Sequence, residues 1–196
     1  MIDPDLNTLI ETAKQLQSGA LSPVTLTQNM LARIADVDTR MNSYVTVMAE
    51  SALAQAQAAE RELAQGRSRG PLHGMPIAVK DLCFTKGVRT TVGAQMLADW
   101  VPDSDATVVQ KLVDAGAVIL GKLHMTEFAL RWHHPYRPIP TNPWGADRWP
   151  GVSSSGSGVA VAAGLCFGAG YGYRRLDPLS GGFVRHGGVE AHVWAR

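Results

Sequence analysis

The feature that most constrains the fold is a pair of short apolar runs separated by a helical segment. Met75–Val79 and Ala117–Leu120 have strand length, and the second run ends at Gly121. Between them, the Asp-Ser-Asp triplet at 103–105 predicts the cap of a helix that closes at Gly116. Strands without alternating polar residues are buried on both faces of a sheet. The sequence therefore predicts an α/β fold whose sheet is covered by helices.

The first half of the chain is predicted to be mainly helical. Apolar residues at helical spacing lead up to Gly19, a stop signal. A second helix is predicted to open at Ser22 and Pro23, a capping hydroxyl followed by a proline in the first turn. Tyr44–Met48 is rich in β-branched and aromatic residues and predicts a strand, whereas the Ala- and Glu-rich segment Ala49–Gln65 predicts a helix.

Composition and charge exclude several classes of protein. A content of 45% hydrophobic and 18% charged residues is typical of a globular protein, and a net charge of +1 offers no electrostatic attraction for nucleic acid or an anionic membrane. The N-terminus does not resemble a signal peptide, and no apolar stretch is long enough to span a bilayer, so we expect a cytoplasmic protein. Cys83 and Cys166 are expected to be buried, reduced thiols.

The first candidate for chemistry is Lys80, which closes the apolar run that starts at Met75. An isolated charge at the end of a buried strand is costly to desolvate. For a single lysine in this position, the side chain more often extends along apolar surface to reach water. The functional alternative is a lysine that burial keeps neutral, so that it can act as a general base near pH 7.

The second candidate is the run Gly-Val-Ser-Ser-Ser-Gly-Ser-Gly at 151–158, which leads into Val159–Leu165. Its glycines would let the backbone approach a ligand closely, and the small residues after it predict a helix packed tightly on a sheet. A phosphate-binding loop has a similar composition, but no Gly-Lys-Ser/Thr follows. A flexible linker is disfavoured because the predicted apolar helix Val159–Leu165 follows immediately.

Other constellations are weaker. Glu127 has no partner carboxylate nearby in the sequence, so glycosidase chemistry is unsupported. Within the irregular, proline-rich segment Arg131–Trp149, His133 and His134 could suggest a metal, but a structural or solvated pair is favoured. The aromatic residues of this region could form a stacking platform, yet no basic patch accompanies them, and packing of the loop is the better interpretation. These residues are Trp132, Tyr136, Trp144 and Trp149.

Three segments together resemble the amidase-signature family in order and in spacing. They are Gly-Met-Pro-Ile-Ala-Val-Lys-Asp at 74–81, Asp-Ala-Gly-Ala-Val-Ile-Leu-Gly-Lys at 114–122, and Asn-Pro-Trp at 142–144 with Pro-Gly-Val-Ser-Ser-Ser-Gly-Ser at 150–157. The resemblance covers roughly Leu6 to Ala169. It implies a layered α/β/α fold with a mixed sheet, and hydrolysis of small-molecule carboxylic amides without a cofactor or metal.

The resemblance also implies a Ser–cis-Ser–Lys mechanism. Lys80 matches the catalytic lysine, the neutral base at the end of the relay. Ser153 matches the serine whose peptide bond is cis and which passes a proton between lysine and nucleophile. A cis bond that does not precede proline costs about 3–4 kcal/mol, so the surrounding loop must enforce it. Val152 departs from the glycine usual in the family, and Ser154 and Ser155 are expected to form hydrogen bonds within the loop. The residues expected to support the loop are Gly151, Ser154, Ser155 and Gly156.

The sequence departs from the family where the nucleophilic serine is expected, about two dozen residues after Ser153. That position falls near Asp177, without the family's Gly-Thr-Asp-Thr-Gly-Gly-Ser-Ile-Arg segment, whose amides also form the oxyanion hole. Residues 171–196 can be reverse-translated with GC-rich codons, and the nucleotides can then be regrouped in a reading frame shifted by one. The new frame reads Thr-Asp-Thr-Gly-Gly-Ser-Ile-Arg and later Lys-Pro-Thr-Tyr-Gly-Arg. The regrouped serine codon spans Leu176 and Asp177. We therefore hypothesise a reading-frame shift near Ala169.

Several expectations follow for the chain as written. Residues 1–170 form the N-terminal part of a truncated amidase-signature domain, and residues 171–196 form an aberrant, poorly ordered tail. Without a nucleophile the chain is expected to be inactive, and exposed sheet edges favour homo-oligomers or aggregation. Two alternatives remain open. One is the amidotransferase branch of the family, which releases ammonia from glutamine to amidate a misacylated tRNA, and the other is a non-catalytic scaffold that binds a partner.

Overall fold

Within the described part of the chain, the architecture is a four-stranded sheet with helices on both faces. In a computed structural model of the chain, residues 8–170 are described. The elements are α1 (Leu9–Ser18), α2 (Pro23–Met41), β1 (Tyr44–Val47), α3 (Ala49–Ala64), β2 (Pro76–Lys80), α4 (Thr107–Asp114), β3 (Val118–Leu123), a 3₁₀ turn (Glu127–Ala129), α5 (Ser155–Ala162) and β4 (Ala169–Gly170). The strand order is β1-β3-β2-β4.

The sheet is mixed, as predicted. β2 pairs in parallel with β3 and with β4, and β1 pairs antiparallel with β3. Along β2 the side chains alternate between two core clusters: Ile77 and Val79 belong to the cluster that includes residues of α1 and α4, and Ala78 to the cluster that includes residues of α2, α3 and α5. The predicted α/β/α layering is therefore confirmed.

The predicted end of the first helix and the predicted start of the second are confirmed. Thr8 and Glu11 form a capping box at the start of α1, and Gly19 closes that helix with a φ of 74°. At the start of α2, the Ser22 side chain accepts a hydrogen bond from the Thr25 backbone N–H, and Pro23 occupies the first turn. These caps satisfy backbone groups that a helix end would otherwise leave unpaired.

The predicted cap of α4 is wrong. The helix begins at Thr107, its N-terminal flanking residue is Ala106, and no side chain caps it. The Asp105 carboxylate instead accepts a hydrogen bond of 2.7 Å from the Lys86 backbone N–H. Asp105 therefore fixes the loop that follows β2, a contact between residues distant in sequence that local cap rules do not anticipate.

Other boundaries differ in ways that matter for the site. β3 continues past Gly121 to Leu123 and so includes Lys122. α5 begins at Ser155 rather than at Val159, because the serine- and glycine-rich segment itself enters the helix. The segment Arg131–Trp149 contains no helix or strand, as expected.

Two further predictions concern the chain as a whole. Cys83 and Cys166 are free and buried, as predicted. Among residues 8–170, no helix combines the length and apolar character needed to cross a bilayer. The predictions for residues 1–7 and for the tail at 171–196, including the nucleophile position at Asp177, lie outside the described residues.

Candidate active site

Lys80 and Ser153 meet at the carboxyl end of β2. They are 73 positions apart in sequence, yet Lys80 Nζ lies 2.5 Å from Ser153 Oγ. Lys80 is only 2% exposed, so its ammonium group does not extend to water. The structure thus brings the two residues into hydrogen-bonding contact and excludes the solvent-reaching alternative for the lysine.

The electrostatic surroundings of Lys80 favour its neutral form. Burial lowers the pKa of Lys80 to about 8, and the Cys83 thiol nearby opposes this shift. No ion pair joins Lys80 to a carboxylate within the described residues. A lysine with this pKa carries a useful neutral fraction near pH 7 to 8, which a general base requires.

The backbone around Ser153 is sharply turned. Ser153 has a φ of 64° and Gly151 a φ of 101°, both in the left-handed region. The Ser154 N–H donates to the Val152 carbonyl at 2.8 Å, and the Ser153 carbonyl accepts from the Thr126 N–H at 3.3 Å. These contacts hold Ser153 between β3 and the start of α5.

The expected cis bond at Ser153 is wrong for this structure, because every peptide bond among the described residues is trans. A cis bond here costs about 3–4 kcal/mol and needs surrounding contacts to enforce it. Here the left-handed φ of Ser153 makes the turn instead. The hydroxyl still reaches Lys80 Nζ.

Gly156 supports the site by allowing close packing. A Cβ atom on Gly156 would lie 2.6 Å from the backbone N and O of His124 and from the Ser43 carbonyl oxygen. The Gly156 N–H donates to the His124 carbonyl at 3.0 Å. Only glycine therefore lets the start of α5 approach the end of β3 this closely.

Ser155 bonds outside the loop rather than within it, contrary to expectation. Its hydroxyl lies 3.1 Å from His133 Nε2, and its side chain is fully buried at the start of α5. Burial lowers the pKa of His133, which favours the neutral form of the ring. His133 therefore connects the irregular segment Arg131–Trp149 to the serine-rich segment 151–158. The sequence alone left this structural role open.

The second histidine in the neighbourhood, His124, is also held neutral. Burial, followed by the positive fields of His133, Arg137 and Arg89, lowers its pKa to about 4. Within the described part of the chain, no group of three His, Cys, Asp or Glu side chains could hold a metal ion.

A buried polar network on the neighbouring strand was not anticipated. Lys122 Nζ donates to Thr90 Oγ1 at 2.6 Å and lies 3.6 Å from Asp81 Oδ1. The other carboxylate oxygen of Asp81 accepts from the backbone N–H and the hydroxyl of Thr91, at 2.9 and 2.5 Å. Sequence reasoning missed this pair because it ended the strand at Gly121, although Lys122 closes an apolar run just as Lys80 does.

Strained backbone surrounds this end of the sheet. Val92, Phe128 and Ala129 all have φ between 49° and 58°, which is rare for residues other than glycine and costly for a β-branched one. Val92 links them to the site, because its N–H donates to the Asp81 carbonyl and its carbonyl accepts from the Phe128 N–H. Such strain persists only where the surroundings enforce it, and it concentrates at functional sites.

The aromatic residues of the irregular segment pack only in part. Trp132 and Trp149 contact edge to face with ring centroids 6.5 Å apart. Trp132 and Tyr136 nevertheless remain 64% and 83% exposed. Packing of the loop therefore accounts for the Trp132–Trp149 contact and leaves the other side chains at the surface.

Comparison with known proteins identifies relatives with this arrangement of segments. The amidase family model matches residues 25–171. The chain is 50% identical over 161 residues to a putative amidase, AmiD, of Mycobacterium tuberculosis, covering 82% of this chain and 34% of that protein. It is also 50% identical over 165 residues to a glutamyl-tRNA(Gln) amidotransferase subunit of Methylococcus capsulatus, covering 83% and 34%.

Solved structures give the same result. The native peptide amidase of Stenotrophomonas maltophilia superposes with a TM-score of 0.75 at 36% identity, over 83% of this chain and 35% of that one. A chain of a vestigial protein complex that reveals the origins of an s-triazine catabolic enzyme superposes with a TM-score of 0.78 at 35% identity, over 82% and 36%. The chain thus spans about a third of the length of these relatives. By its sequence and its fold, it belongs to the amidase family.

Proposed function

We propose that this chain carries the base and the proton-transfer serine of a hydrolase that cleaves carboxylic amides. The observation that carries the proposal is the contact of 2.5 Å between Lys80 Nζ and Ser153 Oγ. Burial of Lys80, which lowers its pKa to about 8, supports its role as a base. Family membership supports the reaction type.

In the proposed reaction, Ser153 passes a proton in both directions. Neutral Lys80 accepts the Ser153 hydroxyl proton while Ser153 takes the proton of a nucleophilic serine. The nucleophile attacks the amide carbonyl, and the leaving nitrogen receives the proton back through Ser153 as ammonia departs. Water then hydrolyses the acyl-enzyme along the same route.

We propose further that the chain as written does not complete this relay. The nucleophile position falls near Asp177, within a tail that lacks the family's nucleophile segment and its oxyanion-hole amides. The relay then has no hydroxyl to activate and no donors for the tetrahedral intermediate. The family match ends at residue 171, close to the frame shift hypothesised near Ala169, which supports this interpretation.

The test is to sequence the coding DNA across codons 165–200 and to express two products: the 196-residue chain and the product of the restored frame. Both are assayed for ammonia release from simple amides. We expect activity from the restored product only, and loss of that activity in its Lys80→Met and Ser153→Ala variants. Hydrolysis by the 196-residue chain itself would place the nucleophile elsewhere.

The likeness to amidotransferase subunits favours one alternative, a glutaminase that needs partner subunits. The glutamyl-tRNA(Gln) amidotransferase subunit of Methylococcus capsulatus and the putative amidase are each 50% identical to this chain over the aligned residues. Ammonia release from glutamine that appears only when partner subunits are added would support this alternative. A folded chain with a specific partner and no hydrolysis in either frame would instead indicate a non-catalytic scaffold.

A further inference from the structure

Two buried lysines lie near the ends of neighbouring strands, and among the described residues only one of them, Lys122, has a carboxylate partner. Lys80 ends β2 and is 2% exposed, while Lys122 lies in β3 and is fully buried. Lys122 lies 3.6 Å from Asp81 Oδ1, and Asp81 is also fully buried. Asp81 directly follows Lys80 in sequence, so this buried carboxylate at the end of the sheet is adjacent to both lysines.

The strand geometry places the two lysines on opposite faces of the sheet. Lys122 is in register with Val79, and Lys80 with Leu123. Because paired residues of adjacent strands share a face and successive residues alternate, Lys122 shares the face of Val79 and Lys80 occupies the other. The Asp81 carboxylate faces Lys122 and Thr91, so it does not bond Lys80 directly.

Because Asp81 directly follows Lys80 and both side chains are buried, we expect the charge of Asp81 to act on Lys80 even though the two side chains do not touch. Successive Cα atoms are about 3.8 Å apart, and a buried region screens charge far less than water does. Burial raises the pKa of the Asp81 carboxyl, whereas hydrogen bonds from the Thr91 hydroxyl and N–H and the charge of Lys122 favour its ionised form. Without an opposing positive charge, this carboxylate would stabilise the protonated form of Lys80 and so weaken it as a base.

We propose that Lys122 is a positioning residue for the relay: it neutralises Asp81, so that Lys80 bonds Ser153 without a net negative charge beside it. This inference rests on the proposed function of Lys80 as a base. The Cys83 thiol also bears on Lys80, because its ionised form would raise the pKa of Lys80. Burial raises the pKa of that thiol, which keeps it neutral near pH 8, and the charges of Lys122 and Asp81 shift its pKa in opposite directions.

The experiment measures the pKa of Lys80 in the full 196-residue chain by NMR of ¹³Cε-labelled lysine, with the resonance assigned by Lys80→Met. Lys122→Met should raise the pKa of Lys80 by about one unit, the lower end of the shift that a nearby charge produces in proteins. Asp81→Asn should lower it. The double variant Asp81→Asn/Lys122→Met should return it to within about 0.3 units of the original value.

The Lys80 pKa values of the three variants distinguish an electrostatic role of Lys122 from a purely structural one. A purely structural role for Lys122 would leave the double variant at least as perturbed as either single variant, and that result would overturn the proposal. An unchanged Lys80 pKa in folded Lys122→Met would overturn it as well. If Lys122→Met does not fold, the comparison of Asp81→Asn with the original chain decides. An unchanged or raised Lys80 pKa in Asp81→Asn would contradict the proposal. Because no step depends on ammonia release, failure here is distinct from failure of the proposed hydrolase activity.

Discussion

The end of the sheet around Lys80 and the irregular segment 131–149 both contact the serine-rich segment 151–158, but they are built very differently. At the sheet end, Lys80, Asp81 and Lys122 are at most 2% exposed and are fixed by strand pairing and short polar contacts. In the irregular segment, Trp132 and Tyr136 are mostly exposed, and His133 makes the contact with Ser155. The comparison teaches that the sheet fixes the positions of the side chains in the candidate site. The irregular segment adds one further contact, between His133 and Ser155.

The largest expected effect falls at the sheet end and is a loss of activity. In the frame-restored product, Lys80→Met should reduce kcat/KM for a simple amide by roughly 10²–10⁴-fold, because the proposed general base is removed. The exposed Lys86 offers a matched control, since Lys86→Met removes the same group from the surface. Steady-state ammonia release measures both. Equal losses in the two variants would contradict the assignment of the base to Lys80.

A second prediction concerns stability and pH. Because the folded-state pKa of Lys80 is about 8, below the ordinary value of 10.5, the unfolded chain binds more protons between these values. Lys80 therefore disfavours folding below pH 8, and this penalty disappears as the pH rises to 10.5. The stability advantage of Lys80→Met over the original chain should shrink by about 3 kcal/mol from about pH 7 to about pH 10.5.

Chemical denaturation of both proteins across this pH range measures the change. Using the difference between the two proteins removes the contributions of Tyr44, Cys83 and Cys166, whose pKa values burial raises. A difference that does not vary with pH would mean that Lys80 titrates normally in the folded chain.

The third prediction tests the close contact between α5 and the sheet. Gly156→Ala should destabilise the chain by about 2 kcal/mol, because its Cβ would overlap backbone atoms at 2.6 Å and overpacking outweighs the gain in helix propensity. Gly168→Ala is the control, since a Cβ there meets no atom within 4 Å. Thermal melting compares the two variants, and equal melting temperatures would contradict the packing account.

The smallest effect is expected in the irregular segment. Trp132→Ser should change the free energy of unfolding by less than about 0.5 kcal/mol, because the side chain is 64% exposed and contacts Trp149 edge to face. Urea denaturation measures it. A loss above about 1.5 kcal/mol would show that the aromatic contacts of this segment belong to the core and would remove the contrast between the two regions.

Local patterns predicted much of the fold. The helical spacing before Gly19, the Ser22–Pro23 start and the apolar run that ends at Lys80 all correspond to elements in the structure. The resemblance to the amidase-signature family paired Lys80 with Ser153, and the structure places them 2.5 Å apart. These features depend on short-range rules or on motifs whose spacing is distinctive.

What the sequence did not predict depends on contacts between distant residues. Asp105 resembles a helix cap but bonds Lys86, and Ser155 bonds His133 from a segment without regular structure. The Lys122–Asp81 pair needed the register of β2 on β3, which no local pattern contains.

The central claim, that Lys80 is a buried base in contact with Ser153, is tested most directly by titrating Lys80 itself. The measurement is the pKa of the Lys80 amine in the full chain, read from the ¹³Cε chemical shift between about pH 6 and about pH 12. We expect a value of about 8, and a change in that value in Ser153→Ala, which removes the hydroxyl 2.5 Å away. A Lys80 pKa near 10.5 that is insensitive to Ser153→Ala would contradict the account.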